Sequence, residues 1–236
     1  MNELAQIEET CGIEINFLEN TFVLDSAGCL YWKEESLLVI SDLHLEKGSS
    51  FAAKKGLFIP PYDTQATLEK LALRVLHWQP KTVLSLGDSF HDDDAANRLP
   101  NSYKQHLSQL MLGRDWIWVS GNHDPSPPKD LGGTFCEEIH IANVNFCHEP
   151  KPEFNIGEIA GHLHPAAKIK QRGKSVRRRC FVGDEERLIM PAFGSFTGGL
   201  NVLDEAYAGL FSKRSLKSWM ISGEHVFEMS AKKLVL

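Results

Sequence analysis

Little in this sequence points to a membrane or to an oxidising compartment. It contains no run of about 18 apolar residues, the length a helix needs to span a bilayer. The N-terminal stretch MNELAQIEETCGIEIN is acidic and has no basic-then-apolar leader, so a secretory signal is not expected. The five cysteines (Cys11, Cys29, Cys136, Cys147 and Cys180) are odd in number, widely spaced and form no C-x-x-C pair. Neither a disulfide framework nor a zinc knuckle is indicated, and reduced thiols in a cytoplasmic protein are the expectation. Positive charge is also scarce: 25 Lys and Arg against 31 Asp and Glu leave a formal net charge of -6. That argues against a uniformly basic nucleic-acid binder but leaves room for a local basic groove, because net charge averages over faces. Internal repeats and low-complexity linkers are missing too. What is present is ordinary globular composition over 236 residues. One domain over residues 1–236, with a core that needs no staples, is expected.

The order of apolar runs suggests how the chain is layered. Residues 15–41 read as strands broken by turns, ending in LLVIS, a continuous apolar run of the kind covered on both faces. TVLSL (82–86) and WIWVS (116–120) are two more such strands. Helical periodicity separates them, over about 64–78 with Leu68, Leu71 and Leu76, and over 100–112 with Leu107, Leu110 and Met111. Pro125, Pro127 and Pro128 then halt regular structure. The later chain (VNFCHE, GEIAGHLHP, RRRCFVGD, ERLIMPAF, WMISG, HVFEM) reads as shorter strands with little helix. A βαβ-like first half and a mostly β second half predict α/β layers closed by a second sheet.

Ligand-type residues fall where these strands end. Asp42 and His44 (D-x-H) follow the first buried strand, Asp88 follows the second, and Asn122-His123-Asp124 follows the third. His148 follows VNFC, and His162-x-His164 follows GEIA. Taken singly, each has a plain structural explanation: Gly-Asp and Gly-Asn suit turns, and H-x-H on a strand is an imidazole pair on one solvated face. Taken together, five motifs at successive strand termini converge on the crevice where α/β sheets bind ligands. Carboxylate, imidazole and amide oxygen without thiolate suit Mn²⁺, Fe or Zn²⁺. Seven such ligands exceed one tetrahedral site and fit two divalent ions sharing a carboxylate. Ions so paired lie roughly 3.5–4 Å apart and acidify a bridging water towards a pKa of about 7, so no serine or cysteine nucleophile is required.

D-L-H (42–44), G-D (87–88), G-N-H-D (121–124), His148 and G-H-L-H (161–164) resemble the calcineurin-like metallophosphoesterase pattern. The resemblance implies a four-layer α/β/β/α sandwich binding two divalent ions, Mn²⁺ first among them. Asp42, His44 and His164 would hold one ion, and Asn122, His148 and His162 the other, with Asp88 between them. His123 would face the substrate as general acid or phosphate-oxygen stabiliser instead of binding metal. Two departures stand out. His148 is followed by Glu149-Pro150 where many members have His-Gly. His91 stands three residues after Asp88, where phosphoprotein phosphatases of the superfamily carry Asp and its double-strand-break repair nucleases carry His. His91 is therefore either a second catalytic histidine acting on a phosphodiester or a solvated loop residue within HDDD.

A longer set resembles the bacterial ligase-associated DNA-damage-response metallophosphoesterases: ISDLHLEKGSSFAAKKGLFIPPYDT, GDSFHD, GNHDP, HEP, GHLHP, RRRCFV and LIMPAFGSFTGGLNV. That resemblance implies a cytoplasmic endonuclease or phosphodiesterase with a nucleic-acid substrate and a functional link to a DNA ligase and a helicase. A phosphatase or pyrophosphatase acting on a nucleotide or other small phosphate is the alternative. A non-catalytic scaffold ranks last, because His123 and every ligand position are filled. KIKQRGKSVRRR (168–179), with seven positive charges, is either a phosphate-binding hairpin or a solvated one that guards a sheet edge. The second reading is favoured, since no aromatic is interleaved. Phe51, Lys54 and Lys55 suggest a lid or, with Lys47, a helix surface. Phe193, Phe196 and Gly198-Gly199 suggest packing and a turn.

Overall fold

The computed structural model describes residues 12–55, 62–92, 94–126, 130–151, 157–171, 173–211 and 215–236. Cys11, Pro60, Pro61, Pro127, Pro128, Arg172 and the side chains of Lys54 and Lys55 lie outside these.

The first sheet runs in sequence order: β1 (Gly12–Phe17), β2 (Asn20–Asp25), β3 (Leu30–Trp32), β4 (Leu37–Ile40), β5 (Thr82–Leu86), β6 (Asp115–Val119) and β7 (Thr134–Cys136). Strands β1 to β4 are antiparallel, and β4 to β7 are parallel. The parallel half needs crossovers. These carry α1 (Lys47–Lys55), α2 (Asp63–Trp78), α3 (Ala95–Arg98) and α4 (Asn101–Met111). The second sheet comprises β8 (Glu138–Ile141), β9 (Val144–Cys147), β10 (Glu158–Ala160), β11 (Pro165–Gln171), β12 (Lys174–Gly183), β13 (Arg187–Ile189), β14 (Leu200–Asn201), β15 (Lys217–Ser222) and β16 (His225–Ser230). Its order is β14-β11-β12-β13-β10-β9-β8, with β15 joining β12 to β16. Among these strands β9, β10 and β13 run parallel to one another, as do β11 and β14.

Strand alternation divides the apolar residues between layers. In the first sheet Leu38, Ile40, Val83, Trp116 and Trp118 face the helices, where Leu68, Leu71, Val75 and Leu107 meet them. Leu37, Val39, Leu84, Leu86 and Val119 face the other way, onto Phe146, Ile159, Phe181, Leu188 and Trp219 of the second sheet. Trp32 and Phe146 meet across that interface with ring centroids 6.3 Å apart. The continuous apolar runs are thus strands buried on both faces, the reason they do not alternate with polar residues. On the outer side of the second sheet, Cys180, Val182, Ile189 and Met220 pack under Val202, Tyr207 and Leu234. This is the α/β/β/α sandwich, its last layer built from a 3-10 turn (Glu205–Tyr207) and extended chain.

Three local features depart from the sequence reading. Leu76 lies on the outer face of α2 and is exposed, while Val75 takes the buried position. Short strands β7, β8 and β14 arise where no strand pattern was legible. The basic stretch 168–179 is a hairpin paired from Ala166–Arg179 to Gln171–Lys174, but Arg179 turns inward, donating to the carbonyls of Ala192 and Ser26.

Candidate metal centre

Each motif begins where a buried parallel strand stops. Asp42 and His44 follow β4, Asp88 follows β5, and Asn122 to Asp124 follow β6; His148 follows β9, and His162 and His164 follow β10. Because β9 and β10 pack against β4 to β6, the carboxyl ends of both sheets open on one crevice. Five of these residues adopt left-handed backbone: Asp42 (φ 54°), His44 (45°), Asp88 (46°), His162 (68°) and His164 (46°). Side chains resist that conformation, and it persists only where surrounding contacts impose it. Here the loops hold one another: Asp42 N donates to Gly87 O (3.2 Å), His44 N to Asp88 O (2.9 Å) and Gly161 N to His148 O (2.9 Å). The plain alternative for H-x-H, an imidazole pair on one strand face, does not match this geometry. They sit in the turn between β10 and β11, and their imidazoles enter different groups.

One group is Asp42, His44 and His164, the other Asp88, His148 and His162; within each, ligand atoms lie within 4.8 Å of one another. His44 Nε2 is 3.3 Å from His164 Nε2, which is 3.1 Å from Asp42 Oδ1. In the second group His148 Nε2 lies 3.2 Å from His162 Nδ1, 3.4 Å from Asp88 Oδ1 and 3.0 Å from Asn122 Oδ1. Asn122 therefore joins that group. Asp88 reaches towards both, since its Oδ2 is 3.8 Å from His44 Nε2. Nδ1 of His148 is 2.9 Å from the Leu86 carbonyl, which can accept only from N–H. That leaves Nε2 as the nitrogen that faces the crevice. Asp42 Oδ1 is buried, with His164 Nε2 at 3.1 Å as its nearest side-chain nitrogen. Buried carboxylate oxygens and crowded imidazole nitrogens facing one crevice suit two divalent cations, which take lone pairs and bring no protons.

Burial and mutual charge shape this cluster strongly. Burial pushes His44 down to about 3 and also lowers His162. Burial would raise Asp88, but the hydrogen bond and charge of His148 and the backbone N–H of His123 hold it at about 2. Burial likewise disfavours the charged form of His148, yet Asp88 and Asp42 outweigh it and lift this imidazole to about 9. Asp42 is lowered by His164, His148 and His44 against the effect of its own burial. Positive charge is therefore favoured between these carboxylates.

His123 stands beside the groups instead of within them. Its backbone N–H donates to Asp88 Oδ1 (2.9 Å), and its Nδ1 is 2.9 Å from the His91 carbonyl. Nδ1 must carry the proton in that contact, so Nε2 is the atom available for chemistry. The His91 ring stacks on His123 at 5.2 Å between centroids and 18° between planes. Phe51 stacks on the same imidazole at 5.7 Å and 21°. His91 Nδ1 also approaches His44 Nδ1 at 3.4 Å. His91 is thus packed into the site's wall. Its neighbour Asp92 accepts from Ser50 Oγ (2.6 Å) and Arg98 (3.0 Å).

Sequence reasoning missed the residues that position the ligands. Ser41 Oγ donates to Asp42 Oδ2 at 2.6 Å. Asp124 is buried, accepts from Phe90 N at 3.1 Å, and is pushed up to about 7 chiefly by that burial. The glycines of the motifs carried the only available signal. A Cβ on Gly161 would lie 1.9 Å from Ser41 Oγ and 2.7 Å from Asp42 Oδ2; on Gly121 it would lie 2.2 Å from Asp88 N. Gly161→Ala must therefore displace Ser41 and Asp42. We expect roughly 1–3 kcal/mol of destabilisation in denaturant titrations. Bound metal should fall as well, read by elemental analysis; unchanged stability and metal content would refute this packing account.

Comparison with known proteins agrees with this geometry. The family model described as calcineurin-like phosphoesterase matches residues 36–184. No curated protein matches the sequence at a significant level. The crystal structure of the Pseudomonas putida nuclease MPE is similar, at TM-score 0.70 and 26% identity, over 92% of this chain and 100% of that one. Yfce, a phosphoesterase from E. coli, aligns over 83% of this chain and 98% of its own, at 13% identity and TM-score 0.39. With strand-end motifs meeting in two ligand groups and the family model covering them all, the chain belongs to the calcineurin-like phosphoesterase family.

Proposed function

We propose that this protein is a two-metal phosphodiesterase acting on nucleic acid, an endonuclease of the ligase-associated DNA-damage-response kind. The observation that carries the hydrolytic part is the pair of ligand groups with Asp88 between them and His123 Nε2 alongside. Asp42, His44 and His164 would hold one divalent ion, and Asn122, His148 and His162 the other, with Asp88 shared. When bound, the ions supply Lewis acidity towards phosphoryl oxygens and water that ionises near neutral pH. His123, its Nδ1–H held by the His91 carbonyl, would act as an imidazolium, passing its Nε2 proton to the leaving oxygen and keeping the proton on Nδ1. With His44 Nε2 given to metal, His44 Nδ1 keeps its proton and donates to His91 Nδ1. His91 then carries its own proton on Nε2, where it hydrogen-bonds the second ester oxygen of a diester.

The likeness to a nuclease at TM-score 0.70 supports a nucleic-acid substrate. The alternative is a phosphatase or pyrophosphatase for a nucleotide, which the net charge of -6 keeps open. Protein loaded with Mn²⁺, then with Fe or Zn²⁺, should be assayed in parallel on single- and double-stranded DNA, RNA, a model diester and nucleotide monoesters. Turnover of monoesters alone would remove the nuclease reading. His91→Ala is expected to lower diester cleavage by about 10²-fold while sparing monoester hydrolysis, the size of one positioned proton donor. Equal loss on both substrates would make His91 a support for His123 only.

A further inference from the structure

The segment 193–200 forms the rim of the Asp42–His44–His164 group. Phe193 N donates to Ser41 O (2.8 Å), and Gly194 N to Asp42 O (3.1 Å). Six residues on, Leu200 N donates to His164 O at 3.1 Å. The segment is thus pinned at both ends to the backbone of two candidate ligands. A Cβ on Gly194 would lie 2.2 Å from Leu43 O, and one on Gly199 2.6 Å from His164 O, so no side chain fits between segment and site at these points. Lys70 clamps the start, donating to the Phe193 carbonyl with its ammonium 4.0 Å from the centre of that ring. Ser195 N donates to Thr67 Oγ1 at 2.9 Å.

Between these anchors the chain comes to the surface, with Phe196 exposed upon it. The residue is 72% exposed and its backbone is left-handed, φ 61°. Glycine or asparagine would take that conformation with less strain; a bulky aromatic there is unusual, and nothing in the core uses its ring. Two cationic side chains bond the backbone of this segment. Lys47 of α1 donates to the Phe196 carbonyl at 3.2 Å, and Arg177 of β12 donates to the Gly199 carbonyl. Phe196 is two residues from Gly194, so its Cα lies within about 8 Å of the Cα that abuts Asp42. An exposed aromatic on a segment that a Lys and an Arg also contact, beside a phosphoester site, has the composition of a platform for single-stranded nucleic acid: cations for the backbone, a ring for a base. The basic hairpin lacks an interleaved aromatic in sequence, and the fold supplies one from 19 residues beyond Arg177.

We infer that Phe196 is a specificity-determining residue that stacks on an unpaired base next to the scissile phosphate, with Lys47 and Arg177 bracketing the flanking backbone. This rests on the nucleic-acid reading above. A duplex keeps its bases stacked on one another, so Phe196 favours single-stranded or frayed substrate over paired substrate.

Phe196→Ala, Phe196→Trp and the wild-type protein, each with Mn²⁺, should be compared on a single-stranded oligonucleotide and on a base-free model diester. Binding of a phosphorothioate oligonucleotide in Ca²⁺, followed by fluorescence anisotropy, gives a readout independent of turnover. Because the ring is exposed, Phe196→Ala should fold, which circular dichroism checks. The alanine variant should lose about 5- to 100-fold in oligonucleotide affinity and in kcat/KM, keep its rate on the base-free diester, and be restored by Phe196→Trp. Oligonucleotides with an abasic position walked past the cleavage site should show one position that costs wild type the same factor and costs Phe196→Ala nothing further. Equal losses on the base-free diester would make the residue a structural support of the Asp42 loop and overturn the assignment. Unchanged oligonucleotide affinity would overturn it too, as would a shift in sedimentation that assigns the ring to self-association. If wild type binds the oligonucleotide but cleaves only monoesters, the nuclease reading fails while the affinity comparison still decides the role of Phe196.

Discussion

Asp88→Asn is expected to reduce kcat/KM by roughly 10³-fold or more and to lower bound metal from two ions per chain to one or none, read by elemental analysis. The carboxylate has two separate tasks. Its Oδ1 accepts the His123 backbone N–H at 2.9 Å, and its Oδ2 faces His44 Nε2 at 3.8 Å and His123 Nε2 at 3.9 Å. An asparagine in this pocket must keep its oxygen towards the His123 N–H, since two donors would otherwise meet. Its NH₂ then points at the lone pair of His44 and at the space between the two groups, where a cation needs negative charge. The fold should survive, because shape and one hydrogen bond are retained. Two ions per chain with activity within tenfold of wild type would remove Asp88 from the shared position.

His123→Ala should behave differently, and the contrast separates chemistry from metal holding. The backbone N–H to Asp88 remains, so two ions should stay bound while kcat falls about 10²–10⁴-fold, the range for a positioned acid–base group. The loss should depend on the leaving group. An ester whose leaving oxygen departs readily as an anion needs little proton donation and should be least affected; an alkoxide, as in DNA, should be most affected. A uniform loss across leaving groups would instead mean that His123 stabilises the non-bridging phosphoryl oxygens. Loss of metal from this variant would overturn its placement outside the ligand set.

How much of this was legible beforehand follows from the physics of each feature. Buried parallel strands advertise themselves, because burial on both faces leaves no polar alternation: LLVI, TVLSL and WIWV are strands β4, β5 and β6. Polar residues immediately after such strands mark the crevice, so the candidate ligands could be named from their place alone. Leu76 and the edge strands β7, β8 and β14 were illegible because their positions depend on neighbours far away in sequence.

The chain by itself determined the layering, the family pattern and the inventory of ligand-type side chains, since these depend on residue type and local period. The division of that inventory was implied by the resemblance, but its physical reason lies only in the tertiary structure. His162 and His164 are two residues apart, yet strained turns send them to different groups, and Asp88 lies between both. It also decided that His91 is walled in between Phe51 and His123 instead of solvated among aspartates. The same holds for Phe196, an aromatic that the fold leaves exposed on a segment bonded by Lys47 and Arg177. In each case the reason is the same: side-chain direction and neighbours come from long-range backbone contacts, which no local pattern encodes.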